Sequence, residues 1–200
     1  MRPDPRANPA YLEAFARVVA RIASRLKDVD PKLLPIQLYV AGGAALYLYT
    51  GSRVSADIDG VFSRRVVIDD DLEASYRDTD GRARVLYLDQ NYNDTDNETS
   101  GLLHEDAHED AERVELPGND GSIIEVRALT PLDLAVSKLA RFSDQDREDI
   151  EVLAREKLVD ANSLRKRAEE ALGGYVGDLA SVRTSLELAC NVVEAARRQH

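Results

Sequence analysis

The sequence predicts a mixed α/β core followed by a C-terminal helical part. Strand-like apolar runs alternate with helical periods up to residue 142, and the pattern from Asp144 onward is entirely helical. A chain of 200 residues suffices for one domain, with or without a small helical appendage. We therefore expect an α/β domain with an N-terminal helix over 1–143 and a helical part over 144–200, packed together without a flexible linker.

The first third of the chain predicts alternating helices and strands. Asn8–Pro9 combines an N-cap with a first-turn proline, and apolar residues then recur at helical spacing to about Lys27. The next predicted elements are a strand over Ile36–Val40, a Gly-Gly turn into a helix ending near Thr50, and a strand over Ser55–Phe62.

The middle of the chain is less regular. Within it, His104 and His108 are four residues apart, but the surrounding acids predict a solvated loop rather than a paired site. The predicted elements are a short helix over Asp69–Tyr76, a strand over Arg84–Leu88, a polar loop over Asn91–Ala111, a hairpin of Glu112–Leu116 with Ser122–Leu129, and a helix from Pro131 to about Phe142 capped by Thr130.

Charge and composition exclude several classes of protein. The net charge of −11 argues against general coating of nucleic acid, and nine acids without Lys or Arg lie between Asp89 and Glu112. Basic residues return from Lys138 onward, so we expect any RNA to bind there. No apolar run spans a bilayer and no secretory signal is evident. We expect the single cysteine, Cys190, to be a buried apolar residue. Because one cysteine excludes an internal disulfide, we also expect a cytoplasmic protein.

Asp57 and Asp59 are the first candidates for chemistry. Side chains alternate along a strand, so these two carboxylates point to the same face, where like charges repel. A divalent cation would relieve that repulsion, and oxygen ligands suit Mg²⁺ or Mn²⁺. The pair would thus support metal-assisted phosphoryl chemistry. The ordinary alternative is a solvated pair that contacts water or a basic partner.

Glu125 is the second candidate, because it is a charged residue within the apolar run Ile123–Val126. Two interpretations stay open at this point: a third carboxylate for the metal, or the outward face of an edge strand. Glu115 is a weaker competitor for the role of third carboxylate.

A third cluster combines Lys138 and Arg141 with Asp146 and Asp149 across two predicted helices. Taken alone, this cluster is typical of an ordinary helix pair with ion pairs at i,i+3 and i,i+4 spacing.

Together these motifs resemble the nucleotidyltransferase superfamily, whose minimal pattern is a Gly-Gly or Gly-Ser turn, a short helix and then Asp-x-Asp. The closer resemblance is to the branch of bacterial AbiEii-like toxins and DUF6036 proteins. The matching residues are Gly42 and Gly43, the string Arg53–Val–Ser55–Ala–Asp57–Ile–Asp59, the segment Thr130–Leu134, and Lys138, Arg141, Asp146 and Asp149. Two positions differ from the usual pattern: Ala44 stands where Ser or Thr is common, and Gln145 where Arg is usual.

The resemblance implies a nucleotidyltransferase-like mixed sheet flanked by helices and a set of roles. Mg²⁺ or Mn²⁺ would be held by Asp57 and Asp59, with Glu125 as third ligand or as base, and the substrate would be a nucleoside triphosphate. Phosphates would lie at Gly42 and Gly43, with Arg53 and Ser55 nearby. Lys138 would neutralise triphosphate charge, and Asp149 would orient Lys138 or the nucleoside.

The resemblance also implies an acceptor and a context for transfer. Nucleoside monophosphate would pass to the 3′ end of a tRNA or to a protein side chain, in a toxin–antitoxin or defence pair with a cognate antitoxin. The alternative that this resemblance leaves open is an inactive member that binds a nucleotide or a partner protein.

Overall fold

The computed structural model describes residues 1–67, 72–89 and 102–198. The chain divides into two compact units. Unit 1 comprises the described residues of 1–89 and 111–128, and unit 2 those of 102–110 and 129–198. The domain boundary expected at residue 143 stays a prediction.

Unit 1 is built on a six-stranded mixed sheet with the strand order β3-β4-β2-β1-β6-β5. The strands are β1 (Ile36–Val40), β2 (Asp57–Phe62), β3 (Glu73–Arg77), β4 (Ala83–Asp89), β5 (Glu112–Arg113) and β6 (Ile124–Ala128). β2 runs antiparallel to β1 and parallel to β4, while β1 runs parallel to β6. β5 and β6 form the hairpin that the sequence predicts. The mixed α/β class is confirmed.

Two helices of unit 1, α1 (Pro9–Arg25) and α2 (Gly42–Thr50), pack against this sheet. Asn8 caps α1 as predicted, because its side chain accepts a hydrogen bond from the backbone N–H of Ala10. The ring of Tyr11 is fully buried and meets the rings of Tyr47 and Tyr76 edge-on, with centroid distances of 4.7 and 5.6 Å. This aromatic cluster fixes α1 to both α2 and the β3 side of the sheet.

The helix predicted over Asp69–Tyr76 is wrong where the structure describes it, because residues 73–77 form strand β3. Residues 68–71 lie outside the described part of the chain. Leu72, Ala74 and Tyr76 are buried and alternate with exposed residues, which is the period of a strand. Pairing with β4 across a tight turn, in which Gly81 has φ +79°, decides the conformation.

Unit 2 is helical, as predicted for the end of the chain. Its helices are α3 (Ala107–Asp110), α4 (Pro131–Ser137), α5 (Asp144–Arg155), α6 (Ala161–Ala171) and α7 (Leu179–Arg198). α7 packs on α5 and α6, and α4 packs on α5 and α6. Cys190 is buried on α7, which confirms its predicted place in the core.

Helix α4 starts under the predicted Thr130 cap but ends at Ser137 rather than near Phe142. The backbone of Phe142 has φ +46°, which no α-helix accepts, and Ser143 then caps α5. The chain thus passes from α4 to α5 within a few residues. Lys138, the C-cap of α4, contacts Asp146 and Asp149 of α5.

Part of the polar loop predicted over Asn91–Ala111, residues 91–101, lies outside the described chain. The described remainder is not a solvated loop, since it contains α3, and His104 is only 8% exposed.

Replacing Asn8 by Ala should lower the free energy of unfolding by about 1 kcal/mol, because the first turn of α1 then loses its capping oxygen. Urea denaturation followed by circular dichroism measures this loss. Asn8→Ser retains a capping oxygen and serves as the control. Equal losses for Ala and Ser would contradict the capping role.

Candidate active site

The turn between β1 and α2 is shaped by two glycines. Gly42 has φ +56°, and a Cβ placed on it would lie 1.7 Å from Oδ2 of Asp59. A Cβ on Gly43 would lie 2.7 Å from Oγ of Ser55. Both positions therefore need glycine, because the side chains of Asp59 and Ser55 fill the space that a methyl group would take.

Asp57 and Asp59 lie half-buried on one face of β2, with Ile58 fully buried between them on the other face. The hydroxyl of Ser55 donates a hydrogen bond to Oδ1 of Asp57 at 2.7 Å. The backbone N–H of Ala41 bonds the carbonyl of Asp59 at 2.8 Å, which ties the turn to β2. The predicted Asp pair thus shares one face and stands beside the glycine turn.

Arg53 belongs to the same cluster. Its Nη2 atom lies 3.5 Å from the position that a Cβ on Gly43 would occupy. The structure therefore brings six of the predicted residues together in unit 1: Gly42, Gly43, Arg53, Ser55, Asp57 and Asp59.

Asp89 is an acidic residue of this face that was not predicted from the sequence. It is the last residue of β4 and the direct cross-strand partner of Asp59, while Tyr87 is the partner of Asp57. Cross-strand partners share a face of the sheet, so Asp89 joins the Asp pair. The sequence gives only a partial signal, because Asp89 directly follows the predicted strand Arg84–Leu88, while its place beside Asp59 depends on strand pairing.

The same grouping of charges raises the pKa of Tyr87. The negative charge of Asp57 raises this pKa most, followed by burial and then by the charges of Asp89 and Asp59. Three carboxylates therefore act on one phenol, which agrees with their place on the same part of the sheet.

Glu125 is not brought to the Asp pair. It lies on β6 opposite Gln37 of β1. Ala41, whose backbone N–H bonds the carbonyl of Asp59, comes four residues after Gln37, just beyond the end of β1. That spacing places Glu125 about 13 Å away along the strand direction alone. Its carboxylate instead forms ion pairs with Arg127 at 3.7 Å and Arg113 at 4.0 Å. Glu115, the weaker competitor, is an exposed partner of Arg2.

The ligand atoms available on this face are of the type that a hard divalent cation prefers. Asp57, Asp59 and Asp89 offer carboxylate oxygens, which Mg²⁺ and Mn²⁺ prefer, and close like charges gain from a cation. Within residues 1–67, 72–89 and 102–198, no group of three or more His, Cys, Asp or Glu side chains is arranged to hold a metal ion.

The Lys138 cluster lies within unit 2; Lys138, Asp146 and Asp149 are buried, whereas the Arg141 side chain is 67% exposed. The Lys138 ammonium is 2.6 Å from Oδ2 of Asp149 and 3.5 Å from Oδ1 of Asp146. Arg141 binds both oxygens of Asp146 at 2.8 Å. Gln145 donates to Oδ1 of Asp149 at 3.1 Å, so the residue that replaces the usual Arg takes part in the network.

Asp146 is the centre of this network and is fully buried. It also accepts hydrogen bonds from the N–H and the hydroxyl of Ser143, which forms a capping box at the start of α5. Burial alone would raise the pKa of Asp146, but the hydrogen bonds from Arg141 and Ser143 and the charge of Lys138 outweigh it. They hold this pKa well below its usual range.

A second ionic network of unit 2 was not foreseen from the sequence. The guanidinium of Arg167 on α6 binds buried Asp133 at 2.8 Å and Asp110 at 2.7 Å. Nε2 of His104 lies 3.6 Å from Oε2 of Glu170. These contacts hold residues 102–110 against α6. The pairs are far apart in sequence, so their spacing carries no helical or strand period that would have revealed them.

The mixed sheet, the glycine turn between β1 and α2, and the Asp pair on β2 define a nucleotidyltransferase-like protein. The chain belongs to the family described as nucleotidyltransferase of unknown function (DUF6036), whose model matches residues 17–191. Neither the curated proteins nor the solved structures contain a match to this chain. Among the described residues, the helices are all too short or too polar to cross a membrane.

Gly42→Ala should destabilise unit 1 by about 2 kcal/mol or more, because it combines a left-handed backbone with a clash at Asp59. Gly118→Ala is a matched control, since Gly118 has φ +71° but no atom lies within 4 Å of the position that its methyl group would take. Thermal unfolding of both variants isolates the clash. Equal melting temperatures would show that Asp59 does not crowd the turn.

Asp146→Asn should lower the free energy of unfolding by about 3 kcal/mol at pH 7, because Lys138, which is buried, and Arg141 both lose a charged partner. The folded pKa of Asp146 is lowered, so its stabilisation is present above the unfolded pKa of about 3.9 and declines as the pH falls below it. In urea denaturation, the difference in free energy of unfolding between wild type and Asp146→Asn should be smaller at pH 3 than at pH 7.

The matched control is Asp144→Asn on the same helix, whose side chain is 98% exposed. It should change the unfolding free energy by less than about 0.5 kcal/mol at either pH. If the difference in free energy of unfolding between wild type and Asp146→Asn stayed constant down to pH 3, the result would contradict the charged network.

Proposed function

We propose that this protein is a metal-dependent enzyme that transfers a nucleoside monophosphate from a nucleoside triphosphate to an acceptor. The observation that carries the proposal is the grouping of Asp57, Asp59 and Asp89 on one sheet face beside the Gly42–Gly43 turn. Membership in a family of nucleotidyltransferases supports the reaction class.

In this proposal Asp57 and Asp59 hold Mg²⁺ or Mn²⁺, and Asp89 takes the place first expected for Glu125. The bound cation would supply neutralisation of the charge that develops on the phosphate oxygens. The Ser55 hydroxyl orients Asp57 by donating a hydrogen bond to its Oδ1 atom. Gly42 leaves the room that the Asp59 carboxylate occupies.

The roles of Lys138 and Asp149 in nucleotide handling stay predictions. The two cations and two carboxylates of their network balance in charge, with Lys138 and Arg141 against Asp146 and Asp149. This balance favours a contribution to the stability of unit 2. Neutralising a triphosphate would require Lys138 to exchange a carboxylate partner for a phosphate.

A protein side chain is favoured over tRNA as the acceptor. The basic residues expected to bind RNA are largely engaged by carboxylates of the same chain, which leaves them little charge for phosphates. The pairs are Arg141 with Asp146, Arg147 with Asp144, Arg155 with Glu151, Arg165 with Glu187, Lys166 with Glu170, and Arg167 with Asp133 and Asp110. Transfer onto a protein is compatible with a toxin held in check by a cognate antitoxin.

Purified protein, each of the four labelled nucleoside triphosphates and Mg²⁺ should label a protein in a cell lysate, with or without ribonuclease. Asp57→Asn should lower this transfer at least about a hundredfold, because the cation loses a ligand. The control Asp80→Asn changes an acid in the β3–β4 turn that pairs with Arg82 and Arg84, and it should transfer normally.

Three outcomes of the labelling separate the alternatives. Label in added tRNA but not in protein would reverse the choice of acceptor. Thermal stabilisation by a nucleoside triphosphate with Mg²⁺, but without transfer, would identify an inactive nucleotide-binding member. If a nucleoside triphosphate with Mg²⁺ produced no transfer and no thermal stabilisation, the proposed function would be overturned.

A further inference from the structure

Tyr87 stands next to the acidic pair, yet the proposed chemistry gives it no role. It is the direct cross-strand partner of Asp57, about 5 Å away in the sheet. Its side chain is 45% exposed, whereas Leu86 and Leu88 on either side are buried. The aromatic ring therefore lies on the carboxylate face and is open to a ligand.

The exposed ring continues into a short apolar strip. Val85 lies two residues before Tyr87 on the same face of β4 and is 42% exposed. The cross-strand partners of these residues on β3 are Glu73, opposite Tyr87, and Ser75, opposite Val85, and both are themselves exposed. No large side chain of β3 covers the strip, which begins beside Asp57 and extends toward the start of β4.

The charge around Tyr87 restricts what can bind there. Asp57 is its cross-strand partner, and Asp59 and Asp89 form the next partner pair on the same face, so three carboxylates lie beside the ring. The same negative charges disfavour the backbone of a nucleic acid on this strip. A neutral, flat group with phosphates held elsewhere meets no such repulsion.

A protein partner that adds a strand to β3 is disfavoured as well. The outward carbonyl of Ser75 accepts a hydrogen bond from Arg17 at 2.7 Å, and that of Glu73 accepts one from Arg21. These arginines of α1 occupy the edge groups that an added strand would need.

We propose that Tyr87 is the surface on which the base of the bound nucleoside triphosphate stacks, with Val85 extending the apolar contact. The inference rests on the proposed function, because it requires the phosphates to be held at Asp57 and Asp59. Stacking on an aromatic ring tolerates every base, so Tyr87 strengthens binding without selecting one of the four nucleotides.

The test compares a nucleoside triphosphate with inorganic tripolyphosphate, which has the phosphates but lacks the base. Calorimetric titration in Ca²⁺ measures the affinity of wild type and variants for both ligands without relying on turnover. Tyr87→Ala should weaken nucleotide binding about 5- to 100-fold, because stacking is lost. It should leave tripolyphosphate binding unchanged. Tyr87→Phe retains the ring and should bind both ligands within about twofold of wild type.

Two further variants complete the design. Asp57→Asn should weaken both ligands, because it acts on the phosphate side. Leu33→Ala alters another exposed apolar side chain of unit 1, which is 42% exposed. Leu33 precedes β1, whereas the glycine turn follows it, so this variant should change the affinity for neither ligand.

Each contrary result has a distinct meaning. Equal weakening of both ligands by Tyr87→Ala would overturn stacking in favour of a structural role. A Tyr87→Phe variant as weak as Tyr87→Ala would assign the contact to the hydroxyl instead. Nucleotidyl mass on the Tyr87 peptide after incubation in Mg²⁺ would make this residue an acceptor rather than a stacking surface. Wild type that binds neither ligand would overturn the proposed function together with this inference.

Discussion

The pairing of β2 with its two neighbours is the constraint on which the candidate site depends. β2 runs antiparallel to β1 on one side and parallel to β4 on the other. The first pairing brings the glycine turn against Asp59, and the second brings Tyr87 and Asp89 beside Asp57 and Asp59. A shift of one residue in either register would turn a partner's side chains to the opposite face. Two registers therefore assemble the acidic face.

Like charges on this face are tolerated in different ways. The Ser55 hydroxyl donates a hydrogen bond to Asp57, and the three carboxylates raise the pKa of the neighbouring Tyr87. Carboxylates in such an arrangement bind a divalent cation at an electrostatic advantage. The negative charge that would repel a bare phosphate thus becomes useful when a cation lies between them.

The Lys138 cluster of unit 2 differs from this face, because its charges are paired with opposite charges and Lys138, Asp146 and Asp149 are buried. Asp146 accepts hydrogen bonds from Arg141 and Ser143 and lies within reach of Lys138, and the shift in its pKa shows that these partners outweigh burial. Breaking a buried pair costs far more than breaking a surface pair. The Lys138 cluster thus connects the end of α4 to α5, and its expected role in nucleotide handling stays a prediction.

Local patterns were sufficient for β1, the glycine turn, α2 and the shared face of Asp57 and Asp59. They misread residues 73–77, because a polar, alternating segment becomes a strand only when β4 pairs with it. Whether Asp89 or Glu125 reaches Asp57 depends on strand order and register, which no short stretch of sequence encodes. The sequence by itself identified the Asp pair and its glycine turn, because their geometry is local; tertiary structure alone chose their neighbours, because those neighbours come from distant parts of the chain.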